Sequence, residues 1–183
     1  MQRFDESTAI CQIFTYKEGL LSPLAHDLLI GVQSFVIEVG GSEHFITASF
    51  DARSLKVDCA VVDGRERPDL LTEADREEIN SSIIKEVLQP TRYPVIGLVS
   101  SSVTRGDSKY AVSGVLTLHG QRKEISFTVR KEDGSHYTSD IELHLPDFGI
   151  KPFSTLFGTV RIKPDILIRI RIPTEKIEVD SLL

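Results

Sequence analysis

Apolar and polar positions alternate with a period of two along most of the chain, and the stretch Tyr110–Arg130, YAVSGVLTLHGQRKEISFTVR, shows this best. A period of two places the apolar residues on one face of an extended strand. Glycine at the first central position of a two-residue loop suits a type II′ hairpin turn, because it takes positive φ without steric cost. With Gly120 and Gln121 as that loop, His119 faces Arg122, Leu116 faces Ile125, Gly114 faces Phe127 and Val112 faces Val129. Thr117 then faces Glu124, Val115 faces Ser126 and Ser113 faces Thr128. One face is dry and the other mostly polar, and a slip by one residue would scramble both.

The same alternation predicts a first strand over residues 12–17 and a long strand from His26 to Val39, after a linker over 18–25 that contains Gly19 and Pro23. A partner strand spans 44–53. Gly41-Ser42 at the tip sets Val39 opposite His44, Ile37 opposite Ile46 and Phe35 opposite Ala48. The inward positions change parity near Arg53-Ser54, which predicts a bulge or bend. Residues 63–69 form a charged turn. Strands return over 95–104 and 139–145, and in the last strand Ile166, Ile168, Ile170 and Ile172 alternate with Leu167, Arg169 and Arg171. Residues 146–158 are irregular but carry Phe148, Phe153 and Phe157.

One segment departs from this period. Thr72 and Asp75 resemble a capping box, and Glu73, Asp75, Glu77 and Glu78 place carboxylates at the positive end of a helix dipole. Ile79, Ile83 and Val87, flanked by Ile84 and Leu88, make an apolar stripe, and Pro90 stops it. The spacing predicts one amphipathic helix over about 72–88, lying across a sheet or closing one end of a barrel. About eight amphipathic strands joined by short turns fit a closed antiparallel barrel, since closure removes exposed edges. Such a barrel is filled by side chains or holds one small ligand. Large inward residues argue for filling, whereas Gly114, Ala48 and Gly97 leave room for an elongated apolar guest.

Composition narrows the picture. The chain has 183 residues, which fits a single domain over 1–183, and its 40% hydrophobic and 26% charged residues are ordinary for a soluble globular protein. A net charge of −6 argues against nucleic-acid binding over a broad surface. No apolar run approaches the roughly 20 residues of a membrane span. The start, MQRFDESTAICQIF, lacks the basic-then-apolar pattern of a leader, so a cytoplasmic location is expected, or a periplasmic one if a leader has been removed. Cys11 and Cys59 are expected to be reduced and partly buried.

Candidate chemistry is sparse. The five histidines show no zinc spacing, so no metal and no cofactor are expected. There is no GxSxG elbow, phosphate loop or GxGxxG fingerprint, and hence no catalytic residue to assign. His119, His136 and His144 read as solvated. His26-Asp27 admits three readings: a buried hydrogen-bonding pair, a ligand contact or an acid–base pair. Arg122-Lys123, Arg169 and Arg171 read as outer-face charges, with attraction of an anionic head group as the rival. Phe148, Phe153 and Phe157 serve as core plug or as ligand wall.

Several segments in order, SPLAHDLLIGVQSF, RSLKVD, VLQPTRYPVIGLVSSSV, VSGVLTLHGQRKEISFTV and DFGIKPFSTLFGTVRIKPDILIRI, are similar to the YceI-like family. The resemblance covers roughly residues 20–173, and its most specific parts are the RYPVI turn, the GxLTLHG hairpin and the DFGI segment. It implies a lipocalin-like barrel with one helix near an end, in a bacterial family in which some members bind an isoprenoid or another amphiphilic lipid and many are exported. The expectation is therefore a non-catalytic carrier of a long apolar or amphiphilic ligand. Phe35, Phe50, Leu116, Phe127, Leu143 and Ile168 would line the ligand's path, with a head group near His26 or the loop of Phe148, Phe153 and Phe157. Two alternatives stand beside it. One is a stress-related scaffold or interaction module with a filled barrel, its isoleucine-rich last strand supporting a homodimer. The other is an isomerase or cyclase that uses His26-Asp27.

Overall fold

The computed structural model describes residues 1–18, 26–40, 45–132, 134–155 and 160–174. Strand segments are β1 Gln2–Asp5, β2 Ile10–Glu18, β3 Asp27–Val32, β4 Phe35–Val39, β5 Ile46–Asp51, β6 Leu55–Val62, β7 Arg65–Arg67, β8 Val95–Arg105, β9 Lys109–Leu118, β10 Gln121–Glu132, β11 His136–His144, β12 Ser154–Thr155 and β13 Val160–Pro173. They form one curled antiparallel sheet in the order β1-β4-β5-β8-β9-β10-β11-β13-β2-β3-β6-β7, with β12 added beside β13.

Twelve strands lie on this path where the alternation predicted about eight. The difference has two physical sources. The long strand expected from His26 to Val39 breaks at Gln33-Ser34, and its partner breaks at Ala52–Ser54, where the inward parity changes. The two corners are bonded to each other: the Gln33 N–H donates to the Ser54 carbonyl at 3.0 Å and the Asp51 N–H donates to the Ser34 carbonyl at 3.0 Å. β4 pairs with β5 and β3 pairs with β6, so the two halves of one bent hairpin occupy opposite ends of the path. The short β1 and β7 extend the path beyond that hairpin. Counted without the corners and these two edges, the long strands number eight.

Both predicted hairpins form, each with its pairing shifted. In β9–β10, Leu118 faces Gln121, Gly114 faces Ile125 and Val112 faces Phe127. The loop is His119-Gly120, with φ of 50° and 74°, the double positive φ of a type I′ turn. A Cβ on Gly120 would also stand 2.6 Å from the Tyr93 ring. In β4–β5, Phe35 faces Phe50 and Ile37 faces Ala48, and the ladder ends where the Gly40 N–H donates to the Phe45 carbonyl at 2.8 Å. The expected tip at Gly41-Ser42 lies outside the described residues. Every pairing moves by two, so each side chain keeps its predicted face, and Val112, Leu116 and Leu118 are buried.

The helix starts as expected. Thr72 Oγ1 accepts from the Asp75 N–H at 3.2 Å and the Asp75 carboxylate accepts from the Thr72 N–H at 2.8 Å, a reciprocal cap. α1 spans Glu73–Ser82 and widens into a π-helical segment, Ile83–Leu88, which ends at Gln89 with φ 48°, one residue before Pro90. Asn80 Oδ1 accepts from the Val57 N–H at 2.9 Å and ties α1 to β6. No residue of α1 is fully buried. Its sequence, EADREEINSS, has only Ala74 and Ile79 as apolar residues, and Ile79, with Ile83 and Val87 beyond it, faces a space inside the sheet.

Candidate ligand chamber

That space is a chamber of about 500 Å³. Inward positions of the long strands supply its walls, among them Ile13 on β2, Ile30 on β3, Leu116 on β9, Ile125 on β10, Leu143 on β11 and Ile168 on β13. Ile79, Ile83, Val87 and Leu88 of the helical segment cover one side. The wall is apolar because period-two alternation turns every second side chain inward on each strand.

The acidic and basic side chains of the lining are Asp75 and Glu78 on α1, His26 before β3, Lys151, and Lys163 on β13. Backbone geometry holds the last three at one end of the barrel. Ile162 pairs with Lys17, whose N–H donates to the Asp27 carboxylate at 2.8 Å, and the Ile162 N–H donates to the Phe153 carbonyl at 3.0 Å. The Lys163 ammonium sits 6.0 Å from the centre of the Tyr16 ring. The bonds from Thr72 hold the Asp75 carboxyl below its usual value. The result is an oily interior with a charged rim at the helix end, a form suited to an amphiphile.

A smaller chamber of about 110 Å³ adjoins it, lined by Ile37, Phe45, Phe127, Val129, Tyr137 and Ile172 among others. Leu98 and Ile170 line both spaces.

The residues proposed from sequence distribute as follows. His26, Phe50, Leu116, Leu143, Phe153 and Ile168 meet at the large chamber, and Phe127 lines the small one. Phe35 packs against Phe50 with ring centres 5.9 Å apart and faces neither chamber, and Phe148 is buried in the core beside Ile150. Phe157 lies outside the described residues. Asp27 is engaged by the Lys17 backbone, while His26 alone of the pair reaches the chamber.

Other readings change. Gly114 does not open space for a guest, since a Cβ there would stand 2.6 Å from the Val99 carbonyl oxygen. His119 is not freely solvated: its ring packs 4.2 Å from Tyr93 and its Nε2 is buried without a hydrogen-bond partner. His136 and His144 are surface groups, bonded to Ser135 Oγ at 2.9 Å and to Asp165 at 2.7 Å. Arg169 spends both ends of its guanidinium on Asp140, at 2.7 and 3.1 Å, and Arg130 reaches the same carboxylate at 3.0 Å. Cys11 and Cys59 are free and buried, and burial pushes the Cys11 thiol, in the wall of the large chamber, up to about 12.

Lys151 and Lys163 carry no signal in the alternation. The register of β13 shifts between Ile162 and Ile166, and that irregularity lets Lys163, on the outward parity of the isoleucines, line the chamber. Among the described residues no group of His, Cys, Asp and Glu could hold a metal ion, and no helix is long and apolar enough to cross a membrane.

Curled sheet, end helix and apolar interior define a lipocalin-like barrel. The sequence pattern of the YceI-like domain matches residues 33–173, and the chain belongs to that family. Among solved structures, Burkholderia cenocepacia BcnA aligns over 90% of this chain and 95% of its own, with 15% identity and a TM-score of 0.62. A polyisoprenoid binding domain from Saccharophagus degradans, implicated in plant cell wall breakdown, aligns over 93% and 95% with 9% identity and a TM-score of 0.59. The Campylobacter jejuni YceI protein aligns over 79% and 82% with 14% identity and a TM-score of 0.53. At these identities the likeness is one of fold. No curated protein matches the sequence.

Proposed function

We propose that this protein is a non-catalytic carrier that holds one long apolar or amphiphilic molecule, an isoprenoid-like or fatty-acid-like chain, inside its barrel. The observation that carries the reading is the chamber of about 500 Å³ with apolar walls and a charged rim. That volume falls in the range of roughly 300–1,000 Å³ usual for small-molecule sites, where apolar lining supplies affinity and a few polar groups fix orientation. Removing a hydrocarbon chain from water drives its insertion. The polyisoprenoid-binding description of the Saccharophagus domain points the same way. A filled barrel acting only as a scaffold has this space against it.

The test is displacement of a fluorescent polyene fatty acid, comparing the wild-type protein with Leu143→Trp, whose larger ring would occupy the chamber. Saturable binding that Leu143→Trp weakens at least tenfold, with folding intact, supports the carrier. Absence of saturable binding by the wild type contradicts it.

A further inference from the structure

We propose that Leu98 and Ile170 form a partition across the barrel that sets the longest chain it accepts. The inference rests on the carrier reading and deepens it.

The two chambers are stacked along the barrel axis, and the strand register shows where one gives way to the other. On β5, Phe50 lines the large chamber and Ala48 the small one; on β10, Ile125 gives way to Phe127; on β11, Ile141 gives way to Ser139. On β8 and β13 the change falls at Leu98 and Ile170 themselves, with Ile96 and Ile168 on the large side and Val103 and Ile172 on the small side. Leu98 stands between Ala48 of β5 and Leu116 of β9 in the ladder, and Ile170 stands between Ser139 of β11 and Cys11 of β2. The charged residues line only the large chamber. A guest with its head at that rim therefore points its tail at these two side chains.

Beyond them the small chamber is apolar save for Tyr110, Tyr137 and Ser139, so it would accept more hydrocarbon if it were reached. Leu98 is the better lever. It is 6% exposed, and its ladder neighbour on β5 is alanine, so truncating it joins the chambers with only Leu116 of β9 beside the gap.

The experiment titrates the full chain with a homologous series of unbranched saturated fatty acids, read by displacement of the polyene probe. In the wild type, affinity should rise about fourfold per added methylene up to a break length and then level off. Leu98→Ala should move that break to longer chains. Adding Ala48→Leu, which fills the small chamber, should return the break to the wild-type length. A break that Leu98→Ala leaves in place, or that the double variant fails to restore, overturns the partition while leaving the carrier standing. A wild type that binds no member of the series overturns both. Should Leu98→Ala not fold, Ile170→Val carries the test: a smaller lengthening supports the proposal, and an unmoved break contradicts it.

Discussion

Gly114 of β9 and Val99 of β8 approach so closely that a Cβ on the glycine would stand 2.6 Å from the Val99 carbonyl oxygen and 2.8 Å from Ser100 Cα. The contact coincides with the register shift between Ser100 and Ser102, where Gly114 faces Ser100 and Ser113 faces Ser102. The glycine is what lets β8 bulge toward its neighbour. Gly114→Ala should therefore cost about 1–3 kcal/mol, the range for overpacked sites, read as a lower denaturation midpoint. A stable variant with altered ligand affinity would instead mean that the position faces the guest.

The reciprocal cap between Thr72 and Asp75 fixes the start of the helix that covers the chamber. Thr72→Ala should cost about 1 kcal/mol in denaturant unfolding. Thr72→Ser keeps the acceptor oxygen and should cost only a few tenths. Equal losses for the two variants would count against the cap.

Asp140 accepts from Arg169 and Arg130 on the outer face, and those bonds, Arg169 first, hold its carboxyl below the ordinary 3.8. An acid with a lowered folded value stabilises the fold above its unfolded value, and that contribution disappears as pH falls through the folded one. The stability gap between wild type and Asp140→Asn should thus stay constant from neutral pH to about 5, then shrink as pH drops past 3.8. Unfolding curves of both proteins across that window check it. A gap that widens in acid would contradict the ion-pair account.

Cys11 lines the large chamber and its thiol is pushed up to about 12 by burial, so it stays protonated at the pH of ordinary labelling. Only the thiolate is a good nucleophile. Cys11 in the folded protein should react with a thiol reagent far more slowly than in the unfolded chain, and more slowly still when a fatty acid is bound. Rapid labelling indifferent to added fatty acid would place Cys11 elsewhere.

Much of this fold was legible because alternation encodes faces. The β9–β10 turn shows the limit. One glycine in a two-residue loop fits its first position in a type II′ turn or its second in a type I′ turn, and nothing local announces that His119 takes positive φ. The side chains nonetheless kept their faces, because moving the turn by one residue moves the pairing by two. The change of parity near Arg53-Ser54 signalled a bend, but not that residues 33–34 turn the same corner, since Gln33 and Ser34 interrupt no apolar pattern strongly enough. At the site, Phe50, Leu116, Leu143 and Ile168 could be found as inward residues of strands. Lys151 and Lys163 could not, because one follows an irregular segment and the other sits on an irregular stretch of β13.

The most direct test of the carrier is native mass spectrometry of protein purified without detergent or organic solvent. The account predicts a population heavier than the bare chain by the mass of one hydrocarbon-rich molecule, released on denaturation and diminished in Leu143→Trp, whose larger ring intrudes into the chamber. A single species at the mass of the bare chain, unchanged after incubation with fatty acids and isoprenoids, would contradict it.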